Sequence, residues 1–229
     1  MSRNGAIRMF CLICAFVQCC ISASAQGYFL DRTDVTLEYV RNRANDGKIQ
    51  WRHSMRCISV ENTDKHVKYT TESVFSKENG KPLYKSGVIE TTVVEKGTGD
   101  VSLDVGGAMA SYIKARTGVN ATSTGVLSSL PADIRPGDTL LPVVAQAKVG
   151  PLTYSVVIDN RIVLRNETVT VPAGTFDCIV ISEHKIETGP GHNRDVTNVS
   201  WYSKGIGYVR HDTYVKGTLD TTEKLQSVY

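Results

Sequence analysis

The sequence predicts an all-β protein, an antiparallel meander that forms a barrel or a strongly curved half-barrel. Three observations predict this fold. From Val35 onward the apolar residues recur with a period of two rather than 3.6. Turn-forming residues separate the apolar segments at short intervals. The roughly ten strands that result are more than one flat sheet holds comfortably, which favours strong curvature that hides the sheet edges.

The N-terminal half predicts four strands joined by short turns. In the first strand, Val35, Leu37 and Tyr39 alternate with polar residues, and Asn45-Asp46-Gly47 then forms a turn. Successive strands joined in this way pair antiparallel, with one apolar face and one charged face. The predicted ranges are Val35–Tyr39, Ile49–Cys57, Val67–Phe75 and Leu83–Glu95.

The middle of the chain, Gly97–Ser129, is rich in small residues and predicts less regular structure. Asp100–Val105 has a strand pattern. Met109, Tyr112 and Ile113 lie at helical spacing, which predicts a short helix near 107–117 that ends at Gly118. We expect Val119–Ser129 to be a mobile surface connection.

The C-terminal part returns to the β pattern after Pro131. Tight turns such as Asp159-Asn160, Lys204-Gly205 and Lys216-Gly217 separate its strands. No linker rich in Pro or Ser divides the chain, so residues 26–229 are predicted to form a single exported domain. The predicted strands are Leu152–Ile158, Ile162–Val171, Thr175–Thr188, Val196–Ser203, Ile206–Val215 and Thr218–Val228.

Residues 1–25 have the features of a secretory signal peptide. Arg3 and Arg8 precede an apolar stretch, and the small residues that end at Ala25 form a cleavage site. The apolar stretch is short and interrupted for a spanning helix, which needs about 20 apolar residues. The residues before Cys19 and Cys20 differ from those of a lipid-attachment signal. We therefore expect a periplasmic or secreted protein without a transmembrane segment in its mature chain.

The six cysteines support the same interpretation. Four lie in the leader, so Cys57 and Cys178 remain in the mature chain. In an oxidising compartment these two are a candidate disulfide, and two separate buried thiols are the alternative. Two cysteines are too few for a Cys-rich structural zinc site.

Charge and motifs exclude several functions. The 26 basic and 23 acidic residues are interspersed, and two of the basic residues leave with the leader, so nothing points to a nucleic-acid partner. The five histidines lack the spacing of common metal sites, and no serine or cysteine lies in a nucleophile motif. The acidic residues lie mostly in turns or on polar faces. The sequence therefore predicts no enzyme, no cofactor and no metal.

Three motifs carry a resemblance to a known family. They are LPADIRPGDTL at 130–140, VTVPAGTFDC at 169–178 and WYSKGIGYVR at 201–210. In this order they resemble the DUF3108-like group, an uncharacterised exported family of Bacteroides-type bacteria. The resemblance implies an antiparallel β-protein of barrel or half-barrel type, similar to periplasmic lipoprotein carriers, with no catalytic residues attached. Each motif also has a structural explanation in turns and buried aromatic residues.

The function expected from these observations is non-enzymatic binding of a hydrophobic or lipid-like ligand inside the curved sheet. A structural or protein-interaction module of the cell envelope is the alternative, and a filled core favours it. A hydrolase ranks last. His53 is singled out because it falls on the apolar face of its strand, where a hydrogen-bonded core histidine is the more ordinary role. The candidate cavity-lining residues are Trp51, His53, Met55, Tyr69 and Phe75.

Overall fold

A computed structural model describes residues 26–229, and the predicted signal peptide lies outside them. These residues form one helix and one sheet of 14 strands. The helix, α1, spans Val105–Thr117. The strands in chain order are β1 Thr36–Arg43, β2 Ile49–Asn62, β3 His66–Ser76, β4 Val88–Glu95, β5 Val101–Leu103, β6 Thr122–Gly125, β7 Ser128–Leu130, β8 Thr139–Leu140, β9 Val143–Val149, β10 Leu152–Val171, β11 Gly174–Gly189, β12 His192–Ser203, β13 Gly207–Val215 and β14 Thr218–Val228.

The sheet is an antiparallel meander that is not closed. Its strand order is β6-β9-β10-β11-β12-β13-β14-β1-β2-β3-β4-β5-β7, and β8 pairs with β10 beside this path. Most neighbours are consecutive in the chain. The pairing of β1 with β14 joins the two ends of the described chain, so the N-terminal four strands continue the C-terminal six without a break. This arrangement is the curved, open form of the predicted fold.

Chain connectivity brings the two edges of the sheet together. The end strands β6 and β7 are separated by only two residues, Val126 and Leu127. Side chains of β5 and β7 (Val101, Leu130) share one buried cluster with those of β10 and β11 (Val163, Ile179, Ile181). The sheet therefore curls until β5 and β7 pack against the inner side of β10 and β11. Within residues 26–229 no strand pairing joins β6 to β7, and we call this gap between the two sheet edges the seam.

Helix α1 covers the seam. Its first turn is capped by Asp104, whose side chain accepts a hydrogen bond from the Gly107 N–H at 2.8 Å. The helix ends at Gly118, which has a left-handed φ of 84°. Ser111 accepts a hydrogen bond from the backbone of Ile89 at the free half of β4, and Gly106 approaches Thr124 of β6 closely. The helix thus covers the free half of β4 and the β6 edge, which protects both from pairing with other chains.

Most predicted elements are confirmed. The helix over 107–117 and its end at Gly118 lie within a residue or two of the observed bounds. The fourth predicted strand is shorter than expected, because only Val88–Glu95 forms β4. Strands β8 and β9 were not predicted from the sequence.

Two expectations are wrong. The predicted loop Val119–Ser129 contains β6 and most of β7, because backbone pairing at a sheet end does not need large apolar side chains. Asp159-Asn160 is not a turn between two strands. It is a bulge inside the single strand β10, where Asn160 takes a left-handed φ of 47° and the register shifts before Ile162.

Within residues 26–229 no helix is both long enough and apolar enough to cross a membrane.

Candidate functional site

The five predicted cavity-lining residues share the inner face of the curved sheet, but they do not form one cavity. Trp51, His53 and Met55 alternate along β2, and His53 pairs with Phe75 of β3. His53, Met55 and Tyr69 are buried, whereas Trp51 and Phe75 are half-buried. Tyr69 lies apart from the others, against Phe29, with 5.3 Å between ring centroids.

A chain of aromatic rings runs from the surface into the inner face. Tyr112 of α1 packs against Tyr84, and Tyr84 packs against Phe75, at 5.4 and 5.2 Å between centroids. Phe75 in turn contacts the rings of His53 and Trp51 at 4.7 and 6.3 Å. We call Trp51, Phe75, Tyr84 and Tyr112 the aromatic mouth, because the first three are half-buried and Tyr112 is 39% exposed.

A buried ion-pair cluster lies directly beneath the aromatic mouth. Arg41 of β1 and Glu223 of β14 are paired in register, with 3.8 Å between Nη1 and Oε2. The indole N–H of Trp51 donates to Glu223 Oε1 at 3.1 Å. His53 Nδ1 lies 3.1 Å from the same oxygen without an aligned hydrogen bond. A guanidinium, an imidazole and an indole therefore surround a single carboxylate.

Two of the three guanidinium nitrogens of Arg41 donate hydrogen bonds to threonine hydroxyls. The guanidinium donates from Nε to Thr221 Oγ1 at 3.0 Å and from Nη2 to Thr213 Oγ1 at 2.8 Å. Its carbon also lies 4.7 Å from the centre of the Trp51 ring, in cation–π geometry. The cluster is internally compensated and leaves no free cation beneath the aromatic mouth.

Electrostatics hold Glu223 in its ionised form. Burial by itself would raise the pKa of this carboxyl, but the contacts with His53 and Arg41 outweigh it and lower the pKa to about 2. The pKa of Glu90 on β4, which also feels the field of His53, moves in the opposite direction. Burial raises its pKa, and His53 offsets this only in part.

His211 of β13 belongs to the same inner face. It pairs with Glu223, and its Nδ1 lies 2.8 Å from Ser200 Oγ. Burial first, and then repulsion from Arg41, lowers its pKa to about 3. His211 is therefore neutral at physiological pH, a half-buried histidine held by the hydroxyls of Ser200 and Thr213.

Sequence reasoning missed the charged members of this cluster. Glu90 and Glu223 lie on the inner face, not in turns or on a polar face as predicted for the acidic residues. A signal was present for Arg41 and Glu223. Each stands two residues from a buried apolar residue of its own strand, Tyr39 or Leu225, and so continues the apolar face.

Two clefts lie elsewhere on the described chain. One, of about 460 Å³, is lined by residues that include Tyr28, Asp177 and Lys204. The other, of about 640 Å³, is lined by residues that include His184, Asp195 and Lys216. None of the five predicted lining residues borders either cleft.

His184 in the larger cleft is held by two carboxylates. Its two ring nitrogens lie 2.9 Å from Asp159 Oδ1 and 2.8 Å from Asp195 Oδ1, and both carboxylates raise its pKa. Because both nitrogens are engaged, the imidazole has no free lone pair for a metal. Within residues 26–229 no cluster of three or more His, Cys, Asp or Glu side chains has the arrangement of a metal site.

Cys57 and Cys178 are free thiols in the structure. Cys57 lies on β2 and Cys178 on β11, and four strands separate β2 from β11 in the sheet. Each thiol contacts a carbonyl of its own strand, that of Ser59 or Phe176. In this structure the two thiols are therefore not bonded to each other, and the disulfide stays a prediction.

The family comparison agrees with the sequence motifs and the fold. The model of the DUF3108-like family matches residues 38–227, nearly all of the described sheet. The chain belongs to the DUF3108-like family. None of the curated proteins compared matches the sequence significantly.

Two solved structures share the fold of this DUF3108-like chain. One is a "putative exported protein with YmcC-like fold" from Bacteroides fragilis, with a TM-score of 0.70 and 19% identity. The other is a "putative lipoprotein" from Parabacteroides distasonis, with a TM-score of 0.70 and 17% identity. In each case the match covers 89% of this chain and 99% of the other. At this identity the likeness establishes the fold.

Proposed function

We propose that this DUF3108-like protein is an exported, non-enzymatic binding protein that takes a hydrophobic or lipid-like ligand at the aromatic mouth. The observation that carries the proposal is the exposure of this ring cluster. Phe75 and Tyr84 lie in contact and half-buried, and Tyr112 at their outer end is 39% exposed. Adjoining aromatic surface left open to solvent is typical of a binding site.

The chemistry beneath the mouth favours an apolar ligand. Beneath the rings the Glu223 carboxylate is held by Arg41 and lies against His53, so the inner part of the site offers ring faces. At the outer end the Arg116 guanidinium donates to the Tyr112 hydroxyl at 3.4 Å. An apolar chain or ring system would remove the exposed parts of Tyr84 and Tyr112 from water, at about 25 cal/mol per Å² of apolar area. Its polar end would remain in solvent beside α1.

Two observations support an exported and non-enzymatic role. Residues 1–25 have the pattern of a cleaved signal peptide, and both similar structures carry exported or lipoprotein names. The titratable residues His53, His211 and Glu223 sit inside a hydrogen-bonded core and not at either open cleft. A periplasmic or secreted single domain of residues 26–229 is part of the same proposal.

Native mass spectrometry is the first test. Residues 26–229, recovered from the envelope of the source organism, should carry a stoichiometric small molecule that is released on denaturation. Its mass would identify the ligand class. A bare polypeptide in repeated preparations would contradict tight binding.

Titration with laurate below its micelle concentration tests the location. Phe75→Ala and Tyr84→Ala should each weaken saturable binding at least about tenfold, because each removes on the order of 1.5–3 kcal/mol of apolar contact. Tyr154→Ala is the matched control, since Tyr154 is a half-buried tyrosine of β10 outside the mouth. Equal effects of all three substitutions would place the site elsewhere.

A structural or protein-interaction module is the second candidate, favoured by the dense packing of the inner face. Leu37, Tyr39 and Leu225 are essentially inaccessible to solvent and pack together in the main core cluster. If laurate and envelope-derived molecules both fail to bind, this candidate becomes the preferred one.

A further inference from the structure

Two of the three sequence motifs meet at one cleft, the smaller of the two described above. Its volume is about 460 Å³, and most of its lining comes from these motifs. Residues 175–178 belong to the motif at 169–178, and Ser203 and Lys204 belong to the motif at 201–210. Turn formation explains the glycines of both motifs, but it does not explain why their polar side chains line a common cleft. We call it the motif cleft.

The motif cleft opens where β11 and β12 part. Their pairing ends at Ile179 and Tyr202, so residues 175–178 of β11 have no partner on the β12 side. The turn that follows β12 is bonded instead to the N-terminal segment, because the Gly205 N–H donates to the Gly27 carbonyl at 2.9 Å. This bond places Tyr28 in the wall of the cleft. The resulting volume is within the range of small-molecule sites, about 300–1,000 Å³.

Two opposite charges line the motif cleft without neutralising each other. The Nζ of Lys204 lies 5.4 Å from the centre of the Tyr28 ring, and it forms no ion pair among residues 26–229. Asp177 accepts a hydrogen bond from the neutral Thr168 hydroxyl at 2.6 Å, and within the same residues it has no cationic partner. Each charge is therefore free to meet a group of opposite sign on a ligand.

A buried hydroxyl lines the same cleft without a partner. Ser203 is only 8% exposed, and its side chain makes no hydrogen bond within the part of the chain that the structure describes. Buried polar groups are nearly always hydrogen-bonded, and an unmade bond costs about 1–3 kcal/mol. The missing partner must come from the occupant of the cleft, and a carboxylate oxygen can accept from a hydroxyl.

Apolar surface completes the lining. Ile179 is 2% exposed, and the rings of Tyr28 and Phe176 are half-buried. These side chains offer contact to an apolar group that lies between the two charges.

We propose that the motif cleft is a second binding site, which takes a zwitterionic amino acid with an apolar side chain. The ligand carboxylate pairs with Lys204 and accepts from the Ser203 hydroxyl, and the ligand ammonium pairs with Asp177. The apolar side chain contacts Tyr28 and Phe176. A purely anionic ligand would leave Asp177 without a partner, and a purely cationic one would leave Lys204 without a partner. No residue of the aromatic mouth lines this cleft, so the proposal does not depend on the proposed function.

NMR titration of residues 26–229 with L-phenylalanine tests the proposal. Saturable shifts should appear at the amides of residues 175–178 and 203–204, with a dissociation constant on the order of 1 mM, because the two charges are open to water. The ligand 3-phenylpropionate lacks the ammonium, and phenethylamine lacks the carboxylate. Each should bind at least about tenfold more weakly than L-phenylalanine.

Two substitutions separate the roles of the charges. Lys204→Gln should weaken the binding of both L-phenylalanine and 3-phenylpropionate at least about fivefold, because both ligands carry the carboxylate. Asp177→Asn should weaken the binding of L-phenylalanine alone. It should leave 3-phenylpropionate bound equally well or more tightly, because it removes a nearby negative charge. The asparagine side chain keeps an acceptor for the Thr168 hydroxyl, so this variant preserves the local hydrogen bond.

Lys96→Gln and Asp64→Asn are the matched controls. Both residues are exposed, lie in turns and are absent from the lining of the cleft. They should leave every dissociation constant unchanged, and circular dichroism establishes that each variant is folded. Failure of L-phenylalanine to bind saturably up to about 20 mM would overturn the proposal. Shifts confined to other parts of the sheet, equal losses in Lys204→Gln and Lys96→Gln, or unchanged L-phenylalanine binding in Asp177→Asn would overturn it as well.

Discussion

Arg41 lies directly opposite Glu223 across the junction of β1 and β14, the one pairing that joins the N-terminal and C-terminal strands. The two residues are only 8% and 5% exposed. Their charges are therefore compensated inside the core at the place where the two ends of the chain meet. Thr213 and Thr221 accept hydrogen bonds from Arg41, so polar contacts also hold this junction.

Removal of either charge should destabilise the fold strongly. We expect Glu223→Gln or Arg41→Met to lower the free energy of unfolding by about 3–5 kcal/mol, because each leaves an uncompensated buried charge. The double variant Arg41→Met/Glu223→Gln should lose clearly less unfolding free energy than the two single variants lose together. Urea unfolding measures all three values.

A surface pair provides the control for this cycle. Arg56 and Glu72 form an ion pair between β2 and β3, and the Arg56 side chain is largely exposed. Removal of this surface ion pair should lower the free energy of unfolding by less than about 1 kcal/mol. Additive effects in the Arg41 and Glu223 cycle would show that the buried pair is not coupled.

Acidification should destabilise the protein from about pH 6.5 downward. His211 has an ordinary pKa of 6.5 in the unfolded chain and about 3 in the folded one, so only the unfolded chain takes up a proton in between. The contribution of His211 to the stability of the folded protein is present above pH 6.5 and is lost as the pH falls towards 3. The pKa of Glu223 is 4.5 in the unfolded chain and about 2 in the folded one, so its contribution to stability is lost at lower pH, between these two values.

Thermal melts at two pH values measure this effect. Between about pH 7 and pH 5, protonation of His211 in the unfolded chain should lower the free energy of unfolding by roughly 2 kcal/mol, which lowers Tm by about 5 °C. His211→Asn should flatten the dependence, since Asn does not titrate. His184 acts in the opposite sense, because its raised pKa gives stability below its ordinary value that is lost as the pH rises. An unchanged slope in His211→Asn would assign the acid sensitivity to other groups.

The hydroxyl of Tyr39 should contribute less than its ring. It donates to the Tyr208 carbonyl at 2.9 Å, and the ring stacks on Tyr208 and His53 at 4.5 and 4.7 Å. We expect Tyr39→Phe to cost about 1 kcal/mol and Tyr39→Ala about 3–5 kcal/mol of unfolding free energy. Chemical denaturation distinguishes the two, and similar costs would mean that the hydrogen bond dominates.

The two thiols should react at different rates. Cys57 is half-buried, whereas Cys178 is buried and its pKa is raised to about 12, chiefly by burial. In the native protein a thiol reagent such as dithionitrobenzoate should label one cysteine quickly, and the denatured protein should yield two thiols. Cys57→Ser is the control that removes the fast phase. No free thiol after denaturation would show that the disulfide does form.

Loss of the helix cap should loosen the cover over the seam. Asp104→Ala should lower the free energy of unfolding by about 1 kcal/mol, because the Gly107 N–H loses its acceptor. Hydrogen exchange should then rise in α1 and at Ile89, whose N–H is bonded to Ser111. Asp64→Ala, at an exposed turn, is the matched control. Equal exchange in both variants would mean that the cap does not stabilise the seam.

The sequence by itself determined the local structure of this protein. Alternation along Val35–Tyr39 and Ile49–Cys57 predicted strands, since side chains of a strand point to opposite faces in turn. Gly47, Gly205 and Gly217 marked turns correctly because each has a positive φ. Met109, Tyr112 and Ile113, followed by Gly118, were sufficient for the helix. The motifs also predicted the family.

Only the tertiary structure decided which residues meet. Arg41 and Glu223 are 182 positions apart, and their pairing depends on the register between β1 and β14, which no local pattern encodes. For the same reason Trp51 and Phe75 join Tyr84 and Tyr112 at the mouth, while Tyr69 and Cys178 lie elsewhere. A strand pattern fixes the face of each side chain, but the neighbour across the sheet is set by long-range pairing and curvature, which depend on the whole chain at once.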